Sequence, residues 1–259
     1  MAFLQVQFFS ETLNVASTVN VILPEQRKGI GVDETAGCVQ APDVMYLLHG
    51  YSDDHSIWMR RTSVERYAAS HNLAIIMPAV NHSFYCNEVS GERYWDYVSE
   101  ELPSVMHRFF KITEDPKRTF VAGLSMGGYG AMRLALTYPE RFGAAASFSG
   151  AVDLVDEIRY LSEEKKENWR RVVGDLDKLE NSELDTMYLM KKNANAPQKP
   201  DLYVSCGTAD FLYPQHCKFI PELKENGWNV VHYEKENAVH EWGFWDEQIR
   251  TFIEFIYNR

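Results

Sequence analysis

Gly123-Leu124-Ser125-Met126-Gly127 sets a serine between two glycines, at the junction of an apolar run, Thr119 to Ala122, and a helix-like stretch, Gly128 to Tyr138. A serine flanked in this way can occupy a sharp strand-to-helix turn, because glycine lets neighbouring backbone pass close to a strained residue. The turn pushes the hydroxyl out of the fold. At neutral pH a serine hydroxyl is a poor nucleophile, so it needs a base within hydrogen-bond reach and a third group that fixes the base's tautomer. The chemistry to look for is acyl transfer to Ser125.

In one recurrent chain order the acid and then the base follow the nucleophile. His216, His232 and His240 are the histidines that qualify as base. His216 falls inside a helical pattern and His232 inside a strand, where each is expected to be structural. His240 follows the last strand in the turn Asn237-Ala238-Val239-His240, which makes it the expected base. Asp210, in the turn Gly207-Thr208-Ala209-Asp210, is the expected acid, with Asp153 as a rival because it also follows a strand. Two backbone donors for the developing oxyanion are expected at Met126 and at Tyr51, in His49-Gly50-Tyr51-Ser52. His49 itself is read as a structural hydrogen-bonding residue. The side chains of Tyr51, Trp58, Tyr85, Met126 and Trp242 are left open between pocket wall and core.

These residues must be positioned by a sheet. Gln5 to Phe9 and Ser17 to Leu23 alternate as two antiparallel strands, followed by a polar loop from Pro24 to Pro42. Asp43 to His49 and Leu73 to Pro78 read as buried strands with helical spacing at Ser63 to Ser70 between them, a right-handed crossover unit. Trp95 to Phe110 is helical in spacing, with Pro103 expected to produce a kink or a turn boundary. Strands at Thr119 to Leu124, Ala144 to Ser149, Asp201 to Cys206 and Asn229 to Glu234 alternate with helices at Gly128 to Tyr138, Pro214 to Asn226 and Glu241 to Tyr257. In such folds ligand chemistry gathers where the strands end, and the candidates all fall there. From Asp153 to Lys199 charge rises and no strand-like run appears, so 153–199 is expected to be a helical cap insertion, partly mobile, within a single domain spanning 1–259.

At 259 residues, 45 % hydrophobic and 24 % charged, the chain has the composition of a globular protein that buries a substantial core. A net charge of −11 argues against nucleic acid and anionic membrane partners. The lysines and arginines are mostly interleaved with acids, as in Glu163-Glu164-Lys165-Lys166-Glu167, the pattern of a solvated helix face. Cys38, Cys86, Cys206 and Cys217 have no metal-ligand spacing and are expected to be free thiols in a reducing compartment. Neither a secretory signal nor an 18-residue apolar run is present, so a cytoplasmic location is expected. The oligomeric state is left open, a homo-oligomer included.

Four separated motifs carry a resemblance: His49-Gly50 with Asp54 and Trp58; Gly123-Leu124-Ser125-Met126-Gly127-Gly128 with Gly130-Ala131; Cys206-Gly207-Thr208-Ala209-Asp210-Phe211-Leu212-Tyr213; and His240-Glu241-Trp242 with Trp245. In this order they resemble the esterase D family of α/β-hydrolases, and within it the bacterial tributyrin esterases. The resemblance implies an α/β-hydrolase fold, a mostly parallel sheet with helices on both faces. It also implies hydrolysis of short-chain acyl esters through an acyl-serine intermediate, with Ser125, Asp210 and His240 as the triad and no cofactor or metal. Its weakest stretches are the Pro24 to Pro42 loop and the 153–199 insertion. S-Formylglutathione hydrolases, cinnamoyl or feruloyl and acetyl-xylan esterases, and mycolyltransferases are relatives. S-Formylglutathione hydrolases usually show a cysteine soon after the oxyanion loop, where this chain has Ser52-Asp53-Asp54-His55. A mycolyltransferase should be secreted, and a noncatalytic binding protein of the same fold would be favoured by loss of Ser, Asp or His.

Overall fold

The computed structural model describes residues 1–25, 40–89 and 91–258. Most of the expected loop from Pro24 to Pro42, with Cys38 in it, lies outside the described residues.

The inner strands are apolar on both sides. Leu73–Pro78 (β4) and Ala144–Phe148 (β6) are buried throughout, and Asp43–Leu48 (β3), Thr119–Leu124 (β5) and Asp201–Gly207 (β7) are buried at every residue after the first. Unbroken burial of this kind is the mark of parallel strands covered on two faces. Ala2–Ser10 (β1) instead alternates between exposed and partly buried residues, as an edge strand does. With Val15–Leu23 (β2) and Val230–Lys235 (β8), the sheet order is β1-β2-β4-β3-β5-β6-β7-β8. β1 pairs with β2, and β2 with β4, antiparallel; the remaining pairs are parallel.

In chain order the helices are α1 (Ile57–Arg61), α2 (Val64–Ala68), α3 (Tyr94–Asp96), α4 (Leu102–Phe109), α5 (Met126–Thr137), α6 (Leu154–Arg159), α7 (Glu163–Val173), α8 (Thr186–Lys192), α9 (Tyr213–Glu225) and α10 (Trp242–Asn258). The period of two along each strand sends Val44, Tyr46, Leu48, Val121 and Val204 to one face, against α4, α5, α8 and α9. Met45, Leu47, Ala122, Leu124 and Phe148 go to the other, against α1, α2 and α10. This mostly parallel sheet with helices on both faces is the α/β-hydrolase fold.

Three details differ from the sequence reading. The helical run Trp95 to Phe110 contains a π turn, Tyr97–Glu101, between α3 and α4, and Pro103 follows it in the same continuous helix, where its missing N–H leaves the Ser99 carbonyl to accept from Arg141 Nη1. Helix α1 is too short to leave a periodic signal and was not expected. Finally, the 153–199 segment is helical but not uniform. Leu189 and Met190 of α8 are fully buried in the main core, and Trp228 Nε1 donates to the Met190 carbonyl. The outlying part is α6, α7 and the short turn Leu176–Lys178.

Candidate active site

Ser125 follows β5 and precedes α5 with φ 52° and ψ −119°, a left-handed conformation that costs a residue with a Cβ about 1–3 kcal/mol. The surroundings impose it. Ser125 N–H donates to the Phe148 carbonyl at 3.0 Å, and its own carbonyl accepts from Tyr129 N–H at 3.1 Å and Ala151 N–H at 3.2 Å. A Cβ on Gly127 would lie 2.5 Å from the Leu48 carbonyl oxygen and 2.7 Å from that of His49, and one on Gly123 would lie 2.3 Å from the Gly127 oxygen. Those neighbours are backbone and cannot rotate away. The flanking glycines are therefore a packing requirement of the turn against the end of β3.

His240 lies in the turn from β8 to α10. Its Nδ1 stands 2.8 Å from Asp210 Oδ2 and its Nε2 3.1 Å from Ser125 Oγ. A carboxylate only accepts, so the bonding pattern assigns the proton to Nδ1 and leaves Nε2 to accept from the serine hydroxyl. Asp210 is 4 % exposed. Burial works against its charge, but the His240 hydrogen bond and the Leu212 N–H, at 2.9 Å, outweigh burial and hold the carboxyl below the usual carboxylate range. The loops carrying acid and base are tied directly: Ala209 N–H donates to the Ala238 carbonyl at 3.0 Å and Asn237 N–H to Thr208 Oγ1 at 2.9 Å. Phe211 and Trp245 flank the imidazole, each with its ring centroid 4.7 Å away.

The loop after β3 runs beside the serine; a Cβ on Gly50 would stand 3.7 Å from Ser125 Cβ. Among the described residues no protein group accepts from the N–H of Tyr51 or Met126. At Met126 this follows from its place as first residue of α5, where the amide has no intrahelical partner and the helix dipole is positive. His49, 1 % exposed, donates from Nδ1 to the Gly50 carbonyl at 2.7 Å and accepts at Nε2 from Val80 N–H at 3.0 Å. Burial pushes it down to about 4, so it is a neutral brace for the loop.

The rival residues are occupied elsewhere. Asp153 caps α6, accepting from Asp156 N–H at 2.9 Å, and has no bond to His240. His216 Nε2 faces the Gly150 carbonyl at 3.0 Å, in a buried position that lowers it to about 4. His232 lies on β8 with Nε2 3.7 Å from Glu234. Trp58, Tyr85 and Met126 are fully buried in the core, Trp58 Nε1 donating to the Leu48 carbonyl, and Trp242 packs edge-on against Trp58 and Trp245. Tyr51 alone of that set is well exposed. It lines a cleft of about 390 Å³ together with His82, Phe84, Glu157, Lys165 and Trp169. Sequence reasoning missed this cleft, because its walls come from three distant segments with no motif between them.

Among the described residues no group of three or more His, Cys, Asp and Glu side chains is arranged to hold a metal ion. None of their helices is long and apolar enough to cross a membrane. Cys86, Cys206 and Cys217 are unpaired.

Comparison with known proteins places the chain. The profile of the Esterase family, described as "Putative esterase", matches residues 10–253. An acetyl esterase of Caldicellulosiruptor saccharolyticus is 30 % identical across 99 % of this chain and 98 % of its own. Among solved structures, the substrate-bound fluorophosphonate-binding serine hydrolase F of Staphylococcus aureus is 33 % identical, with a TM-score of 0.87 over 100 % of this chain and 99 % of the other. An S-formylglutathione hydrolase of the same organism, without ligand, is 32 % identical with a TM-score of 0.83 over 98 % of each chain. With a serine turn, a sheet and helical layers of this kind, the chain belongs to the Esterase family, as an α/β-hydrolase that acts on carboxylic esters.

Proposed function

We propose that the protein is a serine carboxylesterase that hydrolyses short-chain acyl esters through an acyl-serine intermediate, in the manner of a tributyrin esterase. The observation that carries the reading is the unbroken line Ser125 Oγ, His240 Nε2, His240 Nδ1, Asp210 Oδ2, with spacings of 3.1 and 2.8 Å. Ser125 Oγ attacks the ester carbonyl while His240 takes its proton. The carbonyl oxygen becomes an oxyanion held by the Tyr51 and Met126 amides, each donor worth about 3 kcal/mol in the transition state. The alkoxide leaves with the proton from His240, and water repeats the sequence to free the acid and Ser125. Asp210 keeps Nδ1 protonated and steadies the imidazolium that forms.

The acetyl esterase relative supports a short acyl group. The S-formylglutathione hydrolase relative favours a second reading, thioester hydrolysis, against which stands the stretch Ser52-Asp53-Asp54-His55, without the cysteine usual soon after the oxyanion loop. The remaining parts of the proposal are a single domain with 153–199 as a cap beside the cleft, and a cytoplasmic location, supported by the unpaired Cys86, Cys206 and Cys217.

Turnover of p-nitrophenyl acetate and butyrate by the wild type and by Ser125→Ala tests the nucleophile; kcat/KM should fall by about 10⁴-fold. A fluorophosphonate probe should label Ser125. Equal turnover by both proteins, or a label on another residue, rejects the assignment. A panel of tributyrin, acetylated xylan, methyl ferulate and S-formylglutathione then ranks the acyl and leaving groups by kcat/KM.

A further inference from the structure

The cleft at Tyr51, next to the Gly50 backbone that approaches Ser125, is lined by unlike groups. The Tyr51 and His82 rings stack at 4.3 Å, and Phe84 lies 5.7 Å from Tyr51 and 4.4 Å from Trp169. Glu157, from α6, lines the same cleft. Gln215, 6 % exposed, accepts from Asp153 N–H at 3.0 Å and donates to Glu157 Oε2 at 2.6 Å. The carboxylate is thus held by a side chain that is itself fixed to backbone. Its second oxygen, Oε1, has no protein partner among the described residues. Burial raises the Glu157 carboxyl above its ordinary range, and the Gln215 hydrogen bond and the charge of His240 act against that rise. Lys165, which also lines the cleft, is exposed, and its charge is screened by water.

A half-buried carboxylate lining one cleft with aromatic rings is an arrangement that recognises organic cations. The ring faces attract a cation through their quadrupole, and the fixed anion adds a Coulomb attraction that water screens less than at the open surface. We infer that Glu157, positioned by Gln215, makes the cleft select substrates by charge, accepting esters that carry an alkylammonium group and rejecting those that carry a carboxylate. The inference rests on Ser125 being the ester-cleaving nucleophile. The chain's net charge of −11 acts in the same direction at longer range.

Three acetate esters of matched length test it: one of a trimethylammonium alcohol, its tert-butyl carbon isostere, and one ending in a carboxylate. In the wild type kcat/KM should fall in that order, with about a hundredfold between cation and anion. Glu157→Gln keeps the size of the side chain and a hydrogen bond to Gln215, and should narrow that ratio to within about fivefold. Gln215→Ala, which frees the carboxylate without removing it, should narrow it partway. A wild type without charge preference, or a Glu157→Gln ratio equal to that of the wild type, overturns the inference. Binding of tetramethylammonium, measured by calorimetry, keeps this separate from the catalytic reading. Weakened binding in Glu157→Gln supports charge selection even if no ester is cleaved, and equal binding by both proteins refutes it.

Discussion

Ser125 and helix α7 are held in place by opposite means. The serine sits in a strained turn whose backbone hydrogen bonds come from β6, the loop after β6 and α5, with glycine backbone pressed against the end of β3. Helix α7 has no buried residue. Its Glu163, Lys166, Glu167 and Arg170 pair with one another at the surface, while Trp169, Val172 and Val173 rest only partly buried on the apolar cluster around Tyr129 and Leu154, Trp169 reaching Phe84 at 4.4 Å. Close packing can over-determine a costly conformation, whereas ion pairs in water constrain little. The contrast separates two tasks: groups that must meet a reacting atom within a fraction of an ångström are built into the sheet, and a wall that only has to adapt to a ligand is laid over it.

The largest test of that contrast is Gly127→Ala. The added methyl must displace the Leu48 and His49 carbonyls, at a cost of about 3 kcal/mol or more, which for a domain of this size lowers Tm by roughly 6 °C. Even in the folded fraction Ser125 moves relative to His240, and kcat/KM should fall by about 10²-fold or more, since misplacement by 1 Å suffices for that. Calorimetry and an ester assay on one preparation read both effects. A variant with wild-type Tm and turnover shows that the turn is not over-determined at all.

How much of this was legible beforehand follows the same division. Ser125, Asp210 and His240 stood out because strand ends are periodic events in the sequence and chemistry-bearing residues follow them; the structure sets the three in one hydrogen-bonded line. The buried strands were legible because two-sided burial leaves runs such as Leu73 to Met77 without a polar residue. The π turn at Tyr97–Glu101 was not, since apolar spacing does not distinguish four from five residues per hydrogen bond. Nor was the divided fate of 153–199: the short apolar run Met187 to Met190 lies in a charged stretch, and what draws α8 into the core are partners distant in sequence, the Val152 and Leu136 carbonyls that accept from Thr186 and Asn193, and Trp228, which donates to the Met190 carbonyl. The meeting of Glu157 with Gln215, 58 residues apart, had no local signature.

Acid sharpens the comparison next. His49 and His216 ordinarily titrate near 6.5 and are lowered by burial to about 4 in the fold. Between those values the unfolded chain binds more protons than the folded one, so stability is complete above pH 6.5 and declines as pH falls toward 4. At pH 5 each imidazole accounts for a loss of about 2 kcal/mol. Asp210, whose carboxyl is held low by its partners, adds a further loss in the acid range as pH falls through its folded value. Urea midpoints at pH 7.5, 6 and 5 should therefore drop steadily, and His216→Gln should remove part of the drop above pH 5, the rest lying with His49 and with His71 and His232, which burial also lowers. Equal midpoints at all three values mean that these histidines are not buried neutral in solution.

Trp169→Ala probes the adaptable wall. It removes the ring packed on Phe84 without touching the line from Ser125 to Asp210. Aryl esters long enough to lie against it should lose about threefold to tenfold in kcat/KM, carried by KM, in keeping with about 1 kcal/mol for an aromatic contact. p-Nitrophenyl acetate should change by less than about twofold. An equal fall for both substrates, carried by kcat, means that α7 also sets the geometry of the reacting groups, and the two tasks are not separate.

The smallest effect is expected at Arg170, whose guanidinium bridges Glu163 at 3.0 Å and Glu167 at 3.3 Å while 43 % exposed. Water screens both contacts, and ordering three long side chains opposes what Coulomb attraction remains. Arg170→Ala should therefore move Tm by less than about 1 °C, and the difference should vanish in 0.5 M salt. The value of the measurement lies in its contrast with Gly127→Ala, which adds a single methyl group against the many atoms removed here. A fall of several degrees at Arg170 that survives high salt means that α7 is packed in solution and contributes to the cooperative core, in which case the cleft is as rigid as the turn that carries Ser125.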